Sequence, residues 1–154
     1  MSPLARCIVK LFSKAHKVIY RISGGRLFAK LGEAPMLLLT TTGRRSGKPR
    51  TTPLLYVEDG DGFAVVASFG GAPEHPSWYR NLEKNPKVTL QIENRVIPVT
   101  ASTATPEEKQ RLWPRLTAIY PDYDTYQKET TRDIPVVLLR KLTRALCPGT
   151  ALLM

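Results

Sequence analysis

Residues 37–56 read LLLTTTGRRSGKPRTTPLLY, and this stretch predicts a strand, a turn and a second strand in immediate succession. Residues 37–41 form a short apolar run that ends in threonines, and residues 51–57 are rich in β-branched and aromatic side chains. Both compositions suit strands of a half-buried sheet. The glycines, serine and proline between them are turn-forming residues, so the stretch predicts a β-hairpin.

The turn of this hairpin carries four cations within seven residues and no acid: Arg44, Arg45, Lys48 and Arg50. We call residues 43–50 the basic turn. A solubility role needs only scattered charge of both signs, so the cluster predicts a site for an anion. A nucleotide-hydrolysing phosphate loop is excluded, because Gly43 and Gly47 enclose three residues instead of four and a proline replaces the required serine or threonine.

The net charge of +10 lies wholly in the first third of the chain. Residues 1–56 hold eleven lysines and arginines against one acid, Glu33, which gives +10. Residues 57–154 hold twelve lysines and arginines against twelve acids, which gives zero. Such asymmetry indicates anionic partners and does not bear on the fold.

Length and composition predict one domain with a single core, since the chain has 154 residues and 42% hydrophobic content. Cys7 and Cys147 show no metal-ligand spacing, which argues against a disulfide framework and suits a reducing cytoplasm. His16 and His75 have no second ligand cluster nearby, so no metal site is predicted. No apolar run reaches the ~18 residues of a membrane-spanning helix.

Residues 4–22 have apolar side chains at helical spacing on one face and basic side chains on much of the other, with no acid. Three interpretations remain open: a helix that covers the core, a helix on an anionic membrane surface, or a basic arm for nucleic acid. A short link through Gly32 leads to the first strand. We therefore divide the chain into an N-terminal amphipathic helix with its link, residues 1–32, and a domain of residues 33–154.

The remaining sequence predicts an α+β pattern. Helices are expected at residues 76–84 and from Thr105, which begins a capping box with Glu108, to Ile119. Further strands are expected at residues 63–69, as a pair within residues 87–103, and at residues 134–142.

Two features of these elements predict a ligand cleft. Gly70 and Gly71 follow the small residues of the strand at 63–69, so a ligand could approach the backbone closely. Tyr123 and Tyr126 share one side at helical spacing, and each hydroxyl needs a partner or a wet cleft. Serine-nucleophile, Cys/His and paired-carboxylate arrangements are absent from the sequence. An anion site without catalytic groups of its own predicts an enzyme that works through a coenzyme.

Five motifs resemble, in order, the deazaflavin (coenzyme F-420)-dependent nitroreductase family: LLLTTTGRRSGKPRTTPL, SFGGAPEHPSWYRNL, NPKV, YPDYDTY and IPVVLL. They span residues 36–139. The resemblance implies an α+β fold built on a split β-barrel, like those of flavin reductases and pyridoxamine-phosphate oxidases. It also implies coenzyme F-420, which bears a phosphodiester and a polyglutamate tail, as the cofactor. The implied reaction is hydride transfer from the reduced coenzyme to a hydrophobic acceptor such as a quinone, an enone or a nitroaromatic.

The same resemblance implies which residues form the site. Cofactor contacts are expected from Arg44, Arg45, Ser46, Gly47, Lys48, Arg50, Thr52, Pro53, Ser68, Phe69, Gly70, Gly71, Trp78 and Asn81. The tyrosines of the family's acceptor site correspond to Tyr120, Tyr123 and Tyr126, and one of them or Ser68 is expected to orient the acceptor or donate a proton. Phe69 departs from the family, where lysine is frequent at this position, so one contact to the anionic tail is missing.

Charge and resemblance together predict the partners and the place of action. The expected partner is a small hydrophobic acceptor, and the expected assembly is a monomer or a homodimer. Nucleic-acid binding is not predicted, because residues 57–154 are neutral and offer few exposed stacking side chains. The basic helix predicts a cytoplasmic enzyme that lies peripherally on the inner face of the cell membrane. The alternative function is a coenzyme-binding or membrane-associated carrier without turnover of its own.

Overall fold

A computed structural model describes residues 30–31 and 34–142 of the chain. The predicted helix at residues 4–22, both cysteines and His16 lie outside the described residues. The strands are β1 (Lys30–Leu31), β2 (Ala34–Thr42), β3 (Pro49–Asp59), β4 (Gly62–Val66), β5 (Lys87–Ile92), β6 (Arg95–Thr103) and β7 (Val136–Lys141). The helices are α1 (Ser77–Lys84), α2 (Pro106–Ile119) and α3 (Asp122–Glu129).

Strands β2 to β7 form a closed antiparallel barrel. The sheet has the order β1-β2-β3-β4-β7-β6-β5, and β5 pairs back onto β2 through Leu39 and Leu90, which closes it. The basic turn connects β2 to β3, as the hairpin pattern predicts. β1 pairs with β2 across the expected boundary at residue 32, and the division of the chain there stays a prediction.

Apolar side chains fill the barrel and also cover part of its outside. Leu37 and Leu39 are fully buried in the interior cluster, into which α1 inserts Trp78, Tyr79 and Leu82. The outward side chains of β4 and β7 pack against α2 and α3 in a second cluster. Thr105 and Glu108 form the expected capping box at the start of α2. The α+β split-barrel prediction is confirmed.

One predicted strand is too long, and its true end shapes the site. The strand expected at 63–69 ends at Val66, because the chain turns at residues 68–71. Phe69, Gly70 and Gly71 have φ angles of 48°, 62° and 73°, which a strand does not accommodate. We call residues 68–71 the glycine turn. The last strand is also shorter than expected and begins at Val136, because Pro135 has no N–H to donate, although its carbonyl still accepts a hydrogen bond from Ala67 N.

Although β5 and β2 close the sheet, the barrel wall has a gap between β3 and β4. These strands pair only from Tyr56 to Asp59 on the β3 side, whereas β2 accompanies β3 from Pro49 to Leu55. Within the part of the chain that the structure describes, no strand pairs with the other edge of residues 49–55. Pro53 lacks an N–H and suits such an edge. At about 3.3 Å per residue, this open edge runs roughly 20 Å from Tyr56 to Arg50.

Among the described helices, none has both the length and the apolar character needed to cross a membrane.

Candidate active site

The basic turn is held closed by its own backbone. Gly43 N donates to Lys48 O at 2.8 Å, and Gly47 N donates to Gly43 O at 2.8 Å. Gly47 has a φ of 66°, a left-handed conformation that glycine adopts without strain. A Cβ on Gly43 would lie 2.7 Å from Ser46 Oγ and 3.1 Å from Lys48 O, so a larger residue there would crowd the turn. The turn is therefore a defined platform for its cations.

Most cations of the basic turn are exposed. Arg45, Lys48 and Arg50 are exposed, and Arg44 is half-buried. Three ion pairs between described residues, Lys109–Asp133, Arg111–Asp59 and Arg140–Glu108, all lie outside the basic turn. Four positive charges on one turn favour an anionic ligand with several charges.

Helix α1 fixes the position of the basic turn through Asn81. Asn81 Oδ1 accepts hydrogen bonds from Arg44 N at 3.1 Å and Arg44 Nη1 at 3.3 Å. Its Nδ2 donates to Thr41 Oγ1 at 3.1 Å, and Lys84 Nζ donates to Arg44 O at 2.9 Å. Only 4% of Asn81 is exposed. Asn81 thus ties α1 to the end of β2 and to the turn.

Trp78, on the same helix, packs in the interior cluster. Its side chain is 7% exposed and meets Tyr79 edge-on in the barrel interior, with ring centroids 6.2 Å apart. The structure places Asn81 against the basic turn and Trp78 in the interior cluster, and the direct cofactor contacts expected of both stay predictions.

The glycine turn presents a row of backbone donors. Ser68 is right-handed, with φ −72° and ψ −40°, and Phe69 and Gly70 are left-handed. Consecutive residues of this kind form a concave nest of N–H groups that binds anions. None of the described residues accepts a hydrogen bond from the N–H of Ser68, Phe69 or Gly70. A left-handed phenylalanine is uncommon, and such outliers concentrate at functional sites.

Arg132, in the loop between α3 and β7, is a residue of this site that the sequence reasoning missed. Its Nε donates to Ala72 O at 2.8 Å, and its Nη2 donates to Ser68 O at 2.7 Å. Both Nη atoms also donate to Ala67 O at 3.3 Å, and Nη1 lies 3.1 Å from His75 Nδ1. The sequence offers no signal for this role, because Arg132 is one arginine among polar loop residues.

The three predicted tyrosines form one cluster, which we call the tyrosine cluster. The hydroxyls of Tyr120 and Tyr126 lie 3.1 Å apart, and the rings of Tyr120 and Tyr123 meet edge-on at 5.0 Å. Tyr123 is only 6% exposed, and its hydroxyl has no hydrogen-bond partner among residues 34–142. Buried hydroxyls are usually paired, so this one is available to a ligand group that enters the cluster.

Tyr120 and Tyr123 stay protonated at neutral pH, because their surroundings raise the pKa of both hydroxyls. The hydrogen bond with Tyr126, followed by burial, raises the pKa of Tyr120. Burial raises the pKa of Tyr123. A neutral phenol can donate a hydrogen bond to a carbonyl oxygen, which is the group that a quinone acceptor presents.

The glycine turn and the tyrosine cluster are in contact, whereas the basic turn stands apart. A Cβ on Gly71 would lie 3.3 Å from both Cα and O of Tyr126, so only glycine lets α3 approach this closely. Among the described residues, no hydrogen bond joins the basic turn to the glycine turn; residues 72–84 connect them. Thr52 and Pro53 lie on the open edge of β3 that leads from one toward the other.

Comparison with known proteins identifies the class from structure. A solved structure described as an F420-H2 dependent reductase (FDR-A) is 45% identical, with a TM-score of 0.64, over 69% of this chain and 94% of that chain. A second solved structure, described as a domain-swapped dimer, is 36% identical, with a TM-score of 0.67, over 90% of this chain and 100% of that chain. The class is thus the split-barrel reductases that use a deazaflavin.

The family follows from sequence. The family model for F420H(2)-dependent quinone reductases matches residues 12–141, and the chain belongs to this family. The F420H(2)-dependent quinone reductase Rv1261c of Mycobacterium tuberculosis is 41% identical over 132 residues, which cover 83% of this chain and 89% of that protein. The predicted enzyme class, oxidoreductase, and the predicted coenzyme, F-420, are confirmed. The roles of individual site residues stay predictions.

Proposed function

We propose that this protein reduces quinones with hydride from reduced F-420 bound along the open edge of β3. The main support for this proposal is the arrangement of groups along that edge. The cations of the basic turn lie at the Arg50 end of the edge. At the Tyr56 end β4 separates from β3, and the N–H groups of the glycine turn follow β4 in the chain. The tyrosine cluster contacts the glycine turn and would receive the acceptor. Family membership supports a quinone as that acceptor.

The residues present fit the coenzyme. Its polyglutamate tail carries several carboxylates, which suit the forks of Arg45 and Arg50 and the point charge of Lys48. Its phosphodiester suits the N–H groups of Ser68 and Phe69, because a nest binds an oxyanion without a side-chain charge. The roughly 20 Å of open strand edge suits a ligand with two separated anionic groups. When bound, the coenzyme supplies the hydride.

The tyrosine cluster would orient the acceptor and manage a proton. Reduction of a quinone to a hydroquinone takes up one hydride and one proton, so a proton donor is needed at the acceptor oxygen. The Tyr123 hydroxyl is buried, neutral and unpartnered in the described structure, so it can donate a hydrogen bond to an acceptor oxygen. The Tyr120–Tyr126 hydroxyl pair offers a path by which solvent replaces the proton. Ser68 is the second candidate donor.

The proposal is tested by comparing coenzymes and following turnover. Titration monitored by coenzyme fluorescence should show tight binding of F-420 and weak binding of flavin mononucleotide, because one phosphate cannot engage both anion sites. With reduced F-420 and menadione, the protein should oxidise the coenzyme at a rate that saturates in both substrates. Equal affinity for the two coenzymes, or no turnover with any quinone, would contradict the proposal.

Replacing Tyr123 or Tyr126 with phenylalanine should lower kcat with menadione by about tenfold or more, the usual worth of a positioned proton donor. Affinity for F-420 should change little, since neither hydroxyl belongs to the anion sites. Tyr79→Phe is the matched control, because its hydroxyl bonds Thr103 Oγ1 at 2.8 Å outside the cluster. That variant should lose about 1 kcal/mol of unfolding free energy and keep its kcat. Unchanged kcat in both cluster variants would refute the assigned role.

The membrane association expected from residues 4–22 is part of the proposal, supported by their sequence pattern and by the lipid solubility of many quinones. Each basic residue near an anionic surface adds about 1 kcal/mol of attraction. The full chain should sediment with anionic vesicles at low salt and be released at high salt or with neutral vesicles. The variant Lys10→Gln, Lys14→Gln, Lys17→Gln should sediment less. Absence of wild-type binding to anionic vesicles at low salt would end this part of the proposal.

For the assembly we favour a homodimer over a monomer, because a structural relative at 36% identity is described as a domain-swapped dimer. Light scattering coupled to size exclusion should give twice the 17.2 kDa chain mass. A mass of one chain across micromolar concentrations would contradict it.

A further inference from the structure

We propose that Arg132 is a positioning residue that orients the N–H groups of the glycine turn toward the coenzyme, with neutral His75 as its acid-sensitive partner. This inference rests on the proposed function, since it assigns the glycine turn to coenzyme binding. It concerns two residues that make no contact with the predicted cofactor-binding cations.

The orientation follows from peptide geometry. In a trans peptide unit the C=O and the following N–H point in opposite directions. Arg132 binds Ala67 O and Ser68 O, so the N–H groups of Ser68 and Phe69 must point away from the guanidinium. Both belong to the three N–H groups of the glycine turn that have no acceptor among the described residues. The Nε of Arg132 also donates to a third carbonyl, Ala72 O, which follows the last residue of the glycine turn.

A guanidinium is suited to this task and an ammonium is not. Its planar fork has five donors, and here it reaches three carbonyl oxygens and one imidazole nitrogen. Without the fork, Ala67 O would lose its side-chain donors, and Ser68 O would keep only the bond from Gly71 N at 3.0 Å. Phe69 would then lose contacts that keep its backbone in the strained left-handed conformation.

The contact with His75 makes this arrangement depend on pH. Arg132 can only donate, so His75 Nδ1 must accept, which places the imidazole proton on Nε2 of a neutral ring. Burial and then the charge of Arg132 hold the pKa of His75 below its ordinary value, with Arg80 adding to this and Glu83 opposing it. The Tyr79 ring packs beside it at 5.0 Å, and Glu74 faces Arg132.

The direction of the pH effect is set by the lowered pKa. Above about pH 6.5 His75 is neutral in the folded and unfolded chain, and its bond to Arg132 is fully present. As the pH falls below that value, the unfolded chain takes up the proton first, so the folded state loses stability. Once the pH passes the lower folded-state pKa, a protonated ring replaces the acceptor with a donor and a positive charge beside the guanidinium.

The experiment measures F-420 binding without turnover, by fluorescence, in the full-length protein at 20 °C and pH 5 to 8. Arg132→Lys tests the fork, and His75→Gln keeps a neutral acceptor that does not titrate. The matched control is Arg115→Lys, whose guanidinium bonds Glu58 O at 2.7 Å on another part of the barrel. Unfolding curves for each variant give the fraction of folded protein, and each affinity is then expressed per folded molecule.

At pH 7.5, Arg132→Lys should weaken F-420 binding by about tenfold per folded molecule, the factor that one hydrogen bond to a charged group represents. The Arg115→Lys control should bind like wild type. Wild-type affinity should fall by about threefold or more between pH 7 and pH 5, and His75→Gln should lack that part of the fall. The coenzyme's own titration is common to both proteins and cancels in the comparison.

The outcomes separate this inference from the proposed function. If wild type does not bind F-420, the proposed function itself fails. If wild type binds and Arg132→Lys loses only stability, with affinity per folded molecule unchanged, Arg132 is a structural tie and the positioning role is wrong. If His75→Gln shows the same acid-induced loss as wild type, the His75 switch is wrong.

Discussion

Replacing Arg45, Lys48 and Arg50 together with glutamine is expected to reduce the affinity for F-420 by more than a hundredfold. Each of the three contributes a hydrogen bond to a charged group, and such bonds are worth about 1.5–3 kcal/mol before solvent screening. Even at about 1 kcal/mol each, three exposed bonds amount to a factor above a hundred. The melting temperature should stay within about 2 °C of wild type, because these side chains are exposed and have no ion-pair partner among the described residues.

The control for this prediction removes the same amount of charge elsewhere. Arg95, Arg115 and Lys141 are exposed and lie on β6, α2 and β7, outside the basic turn. Their replacement with glutamine should lower affinity only slightly, through the loss of long-range attraction that salt screens. Titrations at low and high salt distinguish the two effects. Equal losses in both triple variants would mean that net charge attracts the coenzyme and that the basic turn is no specific site.

The basic turn was predictable because its signal is local. Four cations without an acid in one turn, between two strand-like runs, fix both the position and the charge of the platform. The turn's backbone bonds follow from Gly43 and Gly47, which permit the conformation that it needs. The register of β2 on β3 places Thr52 and Pro53 beside the turn, as their proposed role requires.

The glycine turn was only half predictable. The pair Gly70 and Gly71 signals a close backbone approach, and the contact between Gly71 and Tyr126 shows one. The preceding residues favour a strand by composition, so the expected strand runs through Phe69. The structure stops it at Val66, because tertiary contacts from Arg132 hold a left-handed phenylalanine that no local pattern indicates.

Support residues are the least predictable part of the site. Arg132 and Asn81 act across 64 and 37 positions of sequence, on Ser68 and on Arg44. Nothing in composition, spacing or charge links such pairs, since the link exists only once the barrel has closed. Family resemblance pointed to Asn81 as a cofactor contact, and the structure shows it bonded to the basic turn from inside.

Replacing Asn81 with alanine should therefore lower both stability and coenzyme affinity. The change removes three hydrogen bonds and leaves Thr41, which is 1% exposed, with only its 3.4 Å contact to Arg50 O. We expect a loss of about 2–4 kcal/mol in unfolding free energy, because buried polar groups are left without partners. Affinity per folded molecule should fall by about tenfold, because Arg44 and the turn lose their attachment to α1.

Asn85 provides the matched control at the other end of the same helix. Its Oδ1 accepts a single local bond from Lys87 N at 3.2 Å, so Asn85→Ala should cost at most about 1 kcal/mol and leave affinity unchanged. Urea unfolding gives the stabilities. Fluorescence titration without urea, at a temperature at which both variants are fully folded, gives the affinities. If Asn81→Ala lost stability as expected but bound F-420 like wild type, the basic turn would keep its geometry without α1. Asn81 would then be a core residue whose only role is to satisfy Thr41 and Arg44.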